Sequence, residues 1–97
     1  MTKLTVYGGI AKHPLLGDIH GLVRVVCLAR NRHAARQMIL KAGFQSIALL
    51  SPTQSYIERT VVSRGAPPCI WVCSLNLVYL SGDHYKPIFG GGEAHGT

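Results

Sequence analysis

The run Leu22-Val23-Arg24-Val25-Val26-Cys27-Leu28-Ala29 constrains this chain more than any other segment. Apart from Arg24 every residue in it is apolar, so neither parity of an extended strand offers a polar face to water. The run predicts a central strand, covered on both faces or nearly so. A chain of 97 residues has room for one domain around it.

The segments on either side follow from local chemistry. Lys3 to Tyr7, with β-branched and aromatic residues, reads as a first strand. Gly8-Gly9 is expected to end or bend it, and the Gly- and Pro-containing stretch 10–21 reads as a loop. Asn31 is placed as the N-cap of a helix over 32–42, in which Ala35, Met38, Ile39 and Ala42 fall on one apolar stripe. Gly43 stands where a left-handed C-terminal residue belongs. Phe44 to Leu50 reads either as a short strand or as a helical turn. Ser51-Pro52-Thr53-Gln54 matches a capping pattern and predicts a second helix from Pro52 to about Arg64, stopped by Gly65, with Tyr56, Ile57, Thr60 and Val61 buried. Pro67-Pro68 returns the chain to an extended form. Cys69 to Cys73 is a strand, and Leu75 to Leu80 continues or restarts it. Ser81 to His84 is a turn, and Tyr85 to Phe89 pairs back as a last strand. The expected fold is α+β in ββααββ order: an antiparallel sheet of three to four strands with two helices packed on one face. Residues 1–89 form the domain, and 90–97, after the triple glycine, a flexible tail.

Composition narrows the chemistry. Ten Lys+Arg against four Asp+Glu give a formal charge of +6, which favours acidic partners. The four acids, Asp18, Glu58, Asp83 and Glu93, are scattered, with no spacing that pairs two carboxylates on one face. Cys27, Cys69 and Cys73 sit in apolar strand patterns, where a thiol is desolvated and unreactive. Cys69 and Cys73 are four apart rather than two, and His84 lies across a turn from them, so no metal site is expected. No phosphate-binding glycine loop precedes a helix. These features predict a protein that is not an enzyme and carries no cofactor. The odd cysteine count and the absence of a signal-like apolar run after Lys3 fit reduced thiols in a cytoplasm. The uncharged stretch from Gly65 to Gly82 is interrupted by Pro67-Pro68, Ser74 and Asn76 and is not expected to enter a membrane.

The basic residues remain. Arg24, Arg30, Arg32, Arg36 and Lys41 cluster with no acid between Asp18 and Glu58. Such a face either keeps a small protein in solution or contacts nucleic acid or an acidic protein surface. Arginine outnumbers lysine here, which favours specific contacts because a guanidinium binds carboxylate or phosphate through two hydrogen bonds. Tyr56 and Tyr85 are candidate aromatic anchors, although Tyr56 reads equally well as a core residue of the helical stripe. Two helices in succession also raise a helix-turn-helix DNA-binding regulator, although the link from Gly43 to Ser51 is longer than that motif uses.

The segment Val23 to Ala35, a strand running straight into an alanine-rich helix, resembles a loose group of small phage-encoded proteins, as do Phe44 to Leu50, the second helix and Ile70-Trp71-Val72. Some proteins of that kind are inhibitors of bacterial immunity, anti-CRISPR proteins in particular. The resemblance implies a non-enzymatic inhibitor that binds a Cas complex or its nucleic acid, blocking target DNA or its activation, with possible direct DNA or RNA contact. Many such inhibitors are acidic nucleic-acid mimics, and mimicry is the wrong mechanism for a chain this basic.

Overall fold

The computed structural model describes residues 3–13, 21–63 and 69–89. The tail 90–97, most of the expected loop 10–21, Gly65 and Pro67-Pro68 lie outside the described residues. Five antiparallel strands form one sheet: β1 (Thr5–Lys12), β2 (Leu22–Ala29), β3 (Gln45–Pro52), β4 (Cys69–Ser74) and β5 (Lys86–Phe89), ordered β3-β1-β2-β4-β5. Helices α1 (Arg32–Lys41) and α2 (Tyr56–Ser63) precede and follow β3, and 3-10 turns occupy Leu75–Leu77 and Gly82–His84. The fold is α+β, as expected, with one strand more than the upper expectation and the order ββαβαββ.

β2 lies at the centre, as its apolar run predicts. Its odd residues Val23, Val25, Cys27 and Ala29 form one core with Ala35 and Ile39 of α1. Val26, of the other parity, packs with Val61 and Val62 of α2, against Cys73 and Tyr85. The two helices therefore cover opposite faces of the sheet, not one face. A strand apolar at both parities needs a cover on each side, and one helix supplies each.

β1 runs through Gly8-Gly9 rather than ending there. These glycines serve close approach. A Cβ on Gly8 would stand 2.3 Å from Arg24 Nη2, and one on Gly9 would stand 3.0 Å from the Ala48 carbonyl oxygen. α1 begins as its sequence dictates: Asn31 is extended, and its Oδ1 accepts from the Ala34 N–H at 2.7 Å. Gly43 follows with φ +98°.

Gln45 to Pro52 is a strand, which settles the ambiguous segment. It pairs with β1 through two irregularities, between the Gly8 and Ile10 pairs and between the Ile10 and Lys12 pairs. Each spends one extra β3 residue, and Ser46 (φ 54°) and Leu49 (φ 57°) sit there in left-handed backbone. The expected cap at Ser51-Pro52 is absorbed into this strand: Ser51 pairs with Gly8, Pro52 with Tyr7, and the Thr53 N–H donates to the Val6 carbonyl at 3.0 Å. On an edge strand Pro52 forgoes a donor at little cost. The helix starts later, at Tyr56, where Ser55 Oγ accepts from the Glu58 N–H at 3.2 Å. Its buried side is Glu58, Val61 and Val62, with Ile57 partly buried, and Tyr56 is 75% exposed. The expected stripe is thus rotated, and a carboxylate takes a buried place. Leu75 to Leu80 does not extend β4; it leaves the sheet through the first 3-10 turn.

Candidate binding surface

The sequence cluster of basic residues divides in three dimensions. Arg24 turns inward onto the α2 side of the sheet. Its Nε donates to Glu58 Oε2 at 2.9 Å and its Nη2 to Glu58 Oε1 at 2.8 Å. Thr53 Oγ1 donates to Oε1 and the Tyr85 hydroxyl to Oε2, the latter at 2.8 Å. Tyr85 is buried, and its hydroxyl also accepts from the Tyr79 N–H at 3.3 Å. Two of the seven predicted contact residues, Arg24 and Tyr85, are therefore internal and belong to a carboxylate-centred network. Burial alone would raise the Glu58 pKa, but hydrogen bonds from Arg24, Thr53 and Tyr85 outweigh it and hold the carboxyl below its ordinary value. The hydrogen bond to Glu58 raises the Arg24 pKa, against burial. Burial and the bond to Glu58 raise that of Tyr85. Glu58, which the sequence offers only as a lone acid, is thus the centre of the polar interior. The pattern Ser55-x-x-Glu58 was the one local signal of its position.

Burial also raises the three cysteine thiols, with Cys27 pushed up to about 12. All three are free and buried, in keeping with quiet core residues. No helix among the described residues is long and apolar enough to cross a membrane.

Arg30, Arg32, Arg36 and Lys41 are exposed, and among the described residues no acid pairs with any of them. They do not form one face. Lys41 follows Arg36 by five positions, about 140° round the helix at 3.6 residues per turn. Tyr56 belongs to α2, on the far side of the sheet. Arg30 lies in the bend ahead of the Asn31 cap. Arg32 and Arg36 stand one turn apart and share a groove of about 470 Å³ with His33 and with Ile47, Leu49 and Leu50 of β3. The first turn of α1 carries no acid, so nothing on the helix offsets these charges or the positive end of its dipole.

The aliphatic half of the groove escapes sequence reading. Ile47 and Leu49 belong to the segment whose state was ambiguous, and the two bulges that swing Leu49 outward depend on pairing with β1. Leu49 is 74% exposed while its neighbour Leu50 is buried. α1 and α2 are separated by β3 and lie on opposite sheet faces, so they do not assemble a helix-turn-helix unit. The fold and surface define a small three-layer α+β protein with a basic, aliphatic-lined groove between its first helix and an edge strand. No protein-family model matches the chain, and no curated protein or solved structure matches it.

Proposed function

We propose that this protein is a non-enzymatic binding protein that engages an acidic partner through Arg32 and Arg36, and that its partner is a bacterial defence complex of the CRISPR–Cas kind. The observation that carries the binding half is the contrast between Arg24 and the other basic residues. Arg24 is neutralised internally by Glu58, whereas Arg32 and Arg36 are exposed, one turn apart and unpaired by any described acid. Paired guanidiniums at that spacing suit carboxylates or phosphates. The defence complex rests on the resemblance of the 23–35 segment to small phage-encoded inhibitors. The internal polar cluster favours this reading over catalysis, since the Glu58 carboxylate already accepts four side-chain hydrogen bonds and Glu58 is fully buried.

The test is reversal of both arginines, Arg32→Glu with Arg36→Glu. Their side chains lie outside the α1 core residues Ala35 and Ile39, so the far-ultraviolet circular dichroism should be that of the parent. The local charge changes by four units. Capture of a Cas complex from phage-host lysate, and inhibition of its interference activity, should fall by at least tenfold at low salt and less at high salt. A folded double variant that captures and inhibits like the parent overturns the proposal. Salt-sensitive binding of free duplex DNA in place of the complex would transfer the arginines to a DNA-binding regulator.

A further inference from the structure

Resting on that reading of Arg32 and Arg36, we infer that the groove between α1 and β3 is a peptide site, and that its occupant is an acidic segment of a partner protein in which carboxylates flank an apolar side chain. Three independent features meet there. The rim carries two exposed guanidiniums and His33, with no described acid among them. The opposite wall is aliphatic, made by Ile47, Leu49 and Leu50. The third feature is strain. Leu49 holds φ 57°, a conformation that glycine or asparagine adopts readily and a leucine resists, and yet its side chain is 74% exposed. Its side chain is too exposed to compensate for that backbone through packing in the free protein. A ligand that covers it would compensate.

The lining decides between acidic ligands. Single-stranded nucleic acid is held by aromatic platforms on which bases stack, and the groove offers only the His33 ring. A concavity of about 470 Å³ walled by aliphatic residues takes side chains of matching character, while its charged rim takes their neighbours' carboxylates. Both elements that build the site are secondary structure joined to the same core through Ile39 and Leu50, so the geometry is fixed before binding.

Fluorescence anisotropy of four labelled probes on the intact protein tests this. The probes are a decapeptide of alternating glutamate and leucine, its glutamate–serine and lysine–leucine counterparts, and a short oligothymidylate of the same charge as the first. The glutamate–leucine peptide should bind at least tenfold more tightly than any other probe. Leu49→Asn should lower that affinity about tenfold, to the level of the glutamate–serine peptide, without lowering the melting temperature. Arg32→Glu with Arg36→Glu should abolish it and shift preference to the lysine–leucine peptide. An oligothymidylate that binds as tightly as the glutamate–leucine peptide, and is lost on arginine reversal, overturns the peptide site while leaving the arginine surface intact. Peptide binding indifferent to arginine reversal overturns both. Absence of peptide binding at millimolar concentration overturns the peptide site alone, since capture of the defence complex is measured separately.

Discussion

Arg24 and Glu58 stand 34 residues apart in the chain and meet as a two-pronged ion pair, Nε to Oε2 at 2.9 Å and Nη2 to Oε1 at 2.8 Å. Glu58 is fully buried and the Arg24 side chain is 12% exposed, so the pair ties α2 to the central strand through a largely buried contact. Removing one partner leaves the other charged and desolvated. Glu58→Gln should cost about 3–5 kcal/mol. For a domain of this size that lowers the melting temperature by more than about 10 °C. Arg24→Met combined with Glu58→Leu should cost less than Glu58→Gln alone, because no charge is stranded. Thermal unfolding followed by fluorescence of the single tryptophan, Trp71, provides the measurement. Equal losses for the single and double variants would show that the pair is not the determinant.

The same contact sets the response to acid. Glu58 has a folded-state pKa below its ordinary value, so its contribution to stability is fully present above the unfolded value of about 4.3 and is lost as pH falls through the lower folded one. The parent should hold its stability from neutral pH to about pH 5 and lose it below about pH 4. Glu58→Gln, weaker throughout, should show a flatter profile over that window. Denaturant midpoints at a series of pH values would reveal parallel profiles if Glu58 does not carry the effect.

Gly8 is tied to the pair by space. A Cβ there would stand 2.3 Å from Arg24 Nη2 and 2.8 Å from its Cζ. A free arginine would swing aside, but this one is held by both carboxylate oxygens of Glu58. Gly8→Ala should therefore destabilise by about 2–3 kcal/mol, as loss of a buried charge-assisted bond does. In the Arg24→Met, Glu58→Leu background the same substitution should cost at least about 1 kcal/mol less, the coupling expected of residues in contact. Strict additivity in the cycle would refute the steric link.

The cysteines give a chemical test of the core. Cys27, Cys69 and Cys73 are all buried, and Cys27 has its thiol pushed up to about 12. At neutral pH a thiol reagent should modify the native protein slowly and label three thiols quickly once denaturant is added. Cys27→Ser should lower stability by about 1–3 kcal/mol through a hydroxyl buried in an apolar site, with binding by the folded protein unchanged. Rapid native labelling of Cys27 would contradict the packing of β2.

Ser46 shares the left-handed backbone of Leu49, at φ 54°, one bulge away. Ser46→Gly removes that strain without touching the groove lining. It should stabilise by about 0.5–1 kcal/mol and leave ligand affinity where it was. Destabilisation would mean that the serine side chain holds the bulge.

What the sequence determines here is what can be settled within a few residues. β2 is central because a run apolar at both parities has no wet face. α1 begins where it does because Asn31 reaches only to the Ala34 N–H, three residues on. The thiols are buried because they sit in apolar strands. The α+β class and the exposure of Arg30, Arg32, Arg36 and Lys41 follow at the same level. The tertiary structure decides wherever two local patterns compete or a partner lies far along the chain. Ser51-Pro52 reads as a helix start, but its pairing with β1 gives it to the strand, and the helix begins after Ser55 instead. Arg24 reads as one of five surface cations, yet Glu58, 34 residues away, takes it into the interior and brings Tyr85 with it. The helices separate to opposite faces because each parity of β2 needs its own cover. Leu49 reaches the groove only because two bulges against β1 turn it outward. Local propensity carries no information about which distant surface will bury a residue, and that burial is what decides the site.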